Sequence, residues 1–158
     1  MTLAITSPAF AADGTIPARY TCDGEDLSPP LAFNGLPPGT QSLALIIEDP
    51  DAPDPAAPTT VWVHWIVYNI PPTTRAFAEN AARRGLPPGA LGGRNDWGRG
   101  GYGGPCPPIG RHRYVHRLLA LDTLLPDLKG PTRADLEQAA AGHVLAEARL
   151  VASYARPP

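Results

Sequence analysis

A period of two in the apolar positions runs through most of the chain, so strands are the elements it predicts first. In Ser42–Asp49, Leu43, Leu45 and Ile47 fall on one side and Ala44 and Ile46 on the other, the mark of a strand covered on both faces. The same period puts Asp49 at the strand's end, on the side of Leu43, Leu45 and Ile47. Val61–Ile70 is richer still in β-branched and aromatic residues. Strict alternation gives Trp62, His64, Ile66 and Tyr68 one face and Val61, Val63, Trp65 and Val67 the other. His112–Asp122 reads as a third long strand, with His112 and Tyr114 facing inward beside Leu118, and Val144–Tyr154 as a half-exposed last one. Shorter strands are expected around Leu3 and Ile5, ending before Pro8, and over Ile16–Cys22, where Pro17 suggests a sheet edge. Cys22–Thr40 reads as loop with one extended piece at Leu31–Phe33, and DPDAPDPAAPTT, from Asp49 to Thr60, as a proline-punctuated loop.

A helix is convincing in one place. Thr132 can cap it, Pro131 stands just outside, Asp135 lies in the first turn where the helix dipole favours an acid, and Gly142 ends it. Residues 76–84, AFAENAARR, suit a short helix or turn. No repeat or linker divides the chain, and 158 residues suit one domain. The fold class expected is mainly β, with one short helix in the C-terminal half.

Composition changes the picture in three respects. The 21 prolines and 16 glycines approach the level of disorder, but 43% apolar content and regular apolar runs point instead to a domain with many turns and long ordered loops. A net charge of -2 gives no electrostatic footprint for nucleic acid or an anionic membrane surface. No apolar run approaches the ~18 residues of a membrane span. The N-terminus lacks the basic region and long apolar run of a signal peptide, so the cytoplasm is the expected location. Cys22 and Cys106 match no zinc spacing. They read as two reduced thiols, with a disulfide left open because spatial distance decides it.

Candidate chemistry gathers around Gly92–Tyr114, GGRNDWGRGGYGGPCPPIGRHRY. Its glycines and prolines exclude a helix or central strand, yet Trp97, Tyr102 and Cys106 are not linker residues. The expectation is a rigid loop presenting backbone N–H groups, followed by a strand presenting His112 and Tyr114. With Asp49, Asp51 and His64 from other strand ends, these residues would form a small anion site. Imidazoles would donate to the anion's oxygens, a carboxylate would fix their tautomer or charge, and loop N–H groups would add partial positive charge. The bland rival is buried histidines satisfied by backbone. A metal site on Asp49, Asp51, His64 and His112 is a weaker reading, since no HExxH or paired CxxC supports it. His112 and His116 share a strand face but lie ~13 Å apart at ~3.3 Å per residue. A hydrolase is weaker again: Ser7, Ser28, Ser42 and Ser153 lack a GxSxG elbow, and Cys106 beside His112 is clamped between two prolines.

DPDAP at 49–53, VHWIVYNIP at 63–71 and GYGGPCPPIGRHRY at 101–114 resemble the signature regions of the phosphatidylethanolamine-binding protein family. CDGEDLSPPL, LPPGA, GRNDWG and HVLAEARLVASY are similar to its bacterial branch, the YbhB/YbcL or Raf-kinase-inhibitor-like proteins. The match covers nearly the whole chain, in order. The resemblance implies an antiparallel β-sandwich with Greek-key connections and an anion pocket at one end. It assigns to that pocket Asp49, His64, His112 and Tyr114, with Gly104 and Pro105 as a wall and Trp62 as a nearby aromatic. His116 and Leu119 depart from the aromatic residues frequent at those positions, which is expected to loosen the wall behind the pocket. The function implied is a non-enzymatic binding protein for phosphate, phospho-headgroups or small carboxylates, with no cofactor. A phospholipid headgroup is among the ligands expected, a homodimer and any protein target are left open, and an inhibitor of a protease or kinase is the alternative.

Overall fold

The computed structural model describes residues 2–158. Three strands, β1 (Ala4–Thr6), β2 (Leu31–Asn34) and β5 (Ala76–Phe77), form a small sheet in the order β1-β2-β5. Five others, β3 (Ser42–Ala52), β4 (Thr60–Ile70), β6 (Leu91–Gly92), β7 (His112–Leu121) and β8 (Val144–Tyr154), form a larger one in the order β6-β4-β3-β7-β8. All pairings within the sheets are antiparallel, and the chain passes between sheets after β2, β4 and β5.

The alternation on β3 explains the layering. Leu43, Leu45 and Ile47 meet Ile5, Leu31, Phe33 and Phe77 of the small sheet in one core. Ala44 and Ile46 point the other way, into a second cluster closed by Leu125, Leu136 and Ala140. Leu136 and Ala140 belong to α2 (Arg133–Ala140), which opens on the expected Thr132 cap, with Asp135 closing a reciprocal capping box. Burying each such aliphatic side chain contributes about 1.5–3 kcal/mol, which is why a strand apolar on both faces takes the centre.

Four expectations are corrected. Ile16–Cys22 is not a strand: Ala18–Tyr20 is a 3-10 turn in which Tyr20 N–H donates to the Pro17 carbonyl. Pro17 fixes the φ that starts the turn, and Ile16 and Tyr20 are buried four residues apart, a spacing that also satisfies alternation. The strand expected to stop at Asp49 runs on through Ala52. Pro50 is tolerated there because it lies past the last β7 partner, Glu48↔Val115. Residues 76–84 divide into β5 and one helical turn, α1 (Ala81–Arg84). Finally, Cys22 and Cys106 form a disulfide, with Cα atoms 5.4 Å apart.

Candidate binding pocket

The ends of β3, β4 and β7 meet the proline-rich loop before β7 around a cavity of ≈340 Å³. Asp49, Trp62, His64, His112 and Tyr114, five of the residues expected at the site, line it. A β-bulge brings the two β4 residues there. Ile47 pairs with Trp65 but Glu48 with Val63, so β4 carries one extra residue at His64. The extra residue resets the alternation: Val63 joins Ile66 and Tyr68 in the outer cluster, while Trp62 and His64 turn to the cavity. The single face expected for Trp62, His64, Ile66 and Tyr68 is therefore split in two.

The polar contacts differ from a ring of donors. His112 Nδ1 lies 2.5 Å from Asp49 Oδ2, and its Nε2 lies 2.9 Å from the Ile109 carbonyl. A carbonyl only accepts, so Nε2 carries hydrogen and donates it away from the cavity. So short a contact on the other side needs one proton between Nδ1 and Oδ2. Wherever that proton resides, the Asp49–His112 pair has no net charge. Asp49 Oδ1 accepts from the Asp51 N–H at 2.7 Å. Burial raises the Asp49 carboxyl above the usual range, and the hydrogen bond from His112 opposes that rise.

His64 is the other side of the site. Its Nδ1 lies 2.7 Å from the Gly103 carbonyl and so carries the ring hydrogen. Its Nε2, buried, makes no hydrogen bond among the described residues. Burial first, then the neighbouring His116 and His112, lower its pKa to about 4, so the ring is neutral near pH 7 and Nε2 is a bare acceptor. The Tyr114 hydroxyl, also buried, has no partner either, and burial beside Asp49 keeps it un-ionised. The His64 ring meets Tyr114 and Trp97 edge-on, at centroid distances of 5.3 and 5.2 Å.

Three residues expected at the site stand outside the lining. Asp51 turns to Arg113, accepting from its Nε at 3.0 Å, its Nη2 at 2.8 Å and its backbone N–H at 2.8 Å. Those bonds hold its pKa below the usual carboxylate range. Gly104 and Pro105 form the layer behind. The Gly104 N–H donates to Asp26 Oδ1 and the Pro105 carbonyl accepts from Cys22 N–H. Gly103 N–H donates to the His64 carbonyl, so these loop N–H groups hold the loop and not a ligand. Glycine is required at 103 and 104 because a Cβ would strike the Trp97 ring in one case and Asp26 and the Tyr20 carbonyl in the other. Leu119 lies in the outer cluster, not behind the pocket. His116 is a core residue, with Nδ1 3.1 Å from the Leu150 carbonyl and its ring on Phe10.

Residues 6–155 match the family described as Phosphatidylethanolamine-binding protein. The chain belongs to that family. It is 51% identical over 149 residues to a UPF0098 protein of Methanothermobacter thermautotrophicus, covering 94% of this chain and 95% of the relative. Its fold is similar to that of a putative phosphatidylethanolamine-binding protein homolog from Chlamydia trachomatis, with a TM-score of 0.89, 40% identity and 99% of each chain covered. YbcL of E. coli gives the same TM-score at 32% identity, over 99% of this chain and 100% of that one. Family membership supports a binding protein of the phosphatidylethanolamine-binding kind.

Sequence reasoning left several lining residues of this family member unassigned: Ala52, Pro53, Trp97, Cys106, Pro107 and Pro108. Trp97 had a signal, a bulky aromatic among glycines in a loop. Asp96 had none: its Oδ2 accepts the Val63 N–H at 2.7 Å and its N–H donates to the Val63 carbonyl, pinning the loop to β4. Among the described residues, no group of three or more His, Cys, Asp or Glu is arranged to hold a metal ion, and no helix is long and apolar enough to cross a membrane.

Proposed function

We propose that this protein is a non-enzymatic binding protein that holds the acidic head of a small molecule, a phosphate, phospho-headgroup or carboxylate, in the cavity between β3, β4 and β7. One observation carries the reading. A pocket with mostly apolar walls, from Trp62, Trp97, Pro53, Pro107 and Pro108, ends in two buried polar atoms with no partner in the protein, His64 Nε2 and Tyr114 Oη. Unpaired buried polar atoms cost about 1–3 kcal/mol each, so a ligand that pairs them recovers that energy. The apolar walls suit whatever carries the head. The Cys22–Cys106 bridge fits an oxidising compartment better than the reducing cytoplasm expected from the N-terminus.

Native mass spectrometry of untagged protein, followed by calorimetry with methyl phosphate and acetate, tests the proposal. A small acid released from the native protein, and binding lost in the His64→Ala, Tyr114→Phe double variant, supports it. Purified wild type that takes neither compound at millimolar concentration would sink it. Co-purification of a protease or kinase would favour an inhibitor.

A further inference from the structure

The pocket's hydrogen-bonding inventory constrains which form of an acid it can hold, given that acid heads are what it takes. Among its buried side-chain atoms the site offers one bare acceptor, His64 Nε2, and one hydroxyl donor, Tyr114 Oη, both without a partner among the described residues. His112, Asp49 and two of the loop N–H groups are already committed. His112 Nε2–H donates to the Ile109 carbonyl, the Asp49–His112 pair shares its proton internally, and the loop N–H groups of Gly103 and Gly104 bond His64 and Asp26. Among the described residues, no arginine or lysine lines the cavity. A fully ionised oxyanion would set an oxygen lone pair against the His64 lone pair, with no net positive charge to offset it. An oxyacid that retains one proton fits: its O–H donates to His64 Nε2, and another oxygen accepts from Tyr114.

We infer that the pocket receives its ligand as an acid, with one proton held on the bond between the ligand oxygen and His64 Nε2. The class is a phosphomonoester or phosphonate in its monoanionic form, or an undissociated carboxylic acid. Phosphodiesters, the form of most phospholipid headgroups, have no such proton and enter only if His64 takes one from solvent. The titratable groups facing His64 do not supply it. Asp49 on β3 and His112 on β7 already share theirs, Tyr114 on β7 stays un-ionised and has only its own hydroxyl proton, and His116 is a neutral core residue bonded to Leu150. Asp96 from the loop is taken by the Val63 N–H, and Cys106 is in the disulfide.

Calorimetry on the wild-type protein decides it, with methyl phosphate, dimethyl phosphate and a short-chain phosphatidic acid, in buffers of different ionisation enthalpy so that proton uptake is counted. For methyl phosphate, whose second pKa is about 6, affinity should fall about tenfold between pH 7 and pH 8, with about one proton taken up at pH 8 and none at pH 5. Dimethyl phosphate should bind at least about tenfold more weakly at pH 7, because it enters only with a proton drawn from solvent onto His64, and it should take up a proton whenever it binds. Short-chain phosphatidic acid carries the same head, so it should follow the pH profile of methyl phosphate. Tighter binding would identify a lipid as the source and equal binding a free phosphomonoester. His64→Gln, which can donate as well as accept, should flatten the pH dependence. Equal affinity for monoester and diester with no proton uptake, or affinity that rises with pH, overturns the inference and leaves the pocket an anion site of another kind. Binding of none of the three from pH 5 to pH 8 overturns both this inference and the binding reading beneath it.

Discussion

Glu48 and Asp49 are neighbours on β3, and their carboxylates go to opposite faces of the central sheet, into two differently built regions. Outward, Glu48 meets Arg117 at 2.8 Å and Arg133 at 2.7 Å, and Arg117 goes on to Glu137 at 2.8 Å and Glu147 at 3.1 Å. Each of these acids meets a guanidinium, a fork of donors that keeps its charge at any ordinary pH. Inward, Asp49 meets an imidazole and a backbone N–H, and two nearby atoms have no partner. The outward set is closed and holds the sheet to α2. The inward set is neutral, titratable and incomplete. A region built for stability satisfies its own groups; one built for binding leaves work for the ligand.

Acid separates the two regions most sharply. His64 and His116 are fully buried with pKa values of about 4, against ~6.5 in the unfolded chain. The unfolded chain therefore takes up protons first, so stability is full above pH ~6.5 and is lost as the pH falls toward 4. Each ring should cost on the order of 3 kcal/mol across that window, about 6 kcal/mol together. The arginines of the outward set do not titrate there. Denaturant midpoints that stay flat from pH 7 to pH 4.5 would contradict this account.

Next in size is the bridge that holds the inward wall. Replacing both Cys22 and Cys106 with serine should lower unfolding stability by about 3–4 kcal/mol, because the bond closes a long loop in the unfolded chain. It should also weaken methyl phosphate binding, since Cys106 lines the cavity. An unchanged affinity would show that the prolines and Asp26 hold the wall unaided.

Arg117→Met tests the outward region alone. It leaves Glu48, Glu137 and Glu147 close together, at a cost of about 2–3 kcal/mol, below the usual figure for a broken buried pair because Glu137 and Arg133 are partly exposed. Methyl phosphate affinity should stay within about twofold, less than one hydrogen bond. A larger change would mean the two faces of β3 are coupled.

The smallest stability effect is expected at Tyr114→Phe. Removing a buried hydroxyl with no partner should change stability by less than about 1 kcal/mol, with a gain as the more natural sign. Affinity should nonetheless drop about tenfold, as one hydrogen bond to the ligand is lost. A stability loss well beyond that range would show that the hydroxyl serves the fold.

Much of the fold was legible because its signals are local. β3 has to be covered on both sides by its own alternation, α2 carries its cap in Thr132 and Asp135, and His112 and Tyr114 share a face by spacing alone. What escaped depends on partners. The bulge at His64 exists only in the pairing of β4 with β3, so no property of the β4 sequence announces it. Asp51 shares Asp49's parity but turns away, because the register slips between Asp49 and Ala52 and Arg113 offers it three donors. The N–H groups of Gly103 and Gly104 looked available until Asp26 and the His64 carbonyl, distant in sequence, were seen to take them.

The bond between Cys22 and Cys106 has a topological consequence. It turns a separation of 84 residues into a covalent ring that contains β2, β3, β4, β5 and β6, with β1, β7 and β8 carried on its two tails. The exposed residues Ala56 to Thr59, between β3 and β4, lie on that ring. A protease that nicks them opens the ring without dividing the molecule. The nicked chain should run as one species until a reductant parts it, and the same peptide bond offers a place to relocate the termini without severing any part of the pocket from the rest.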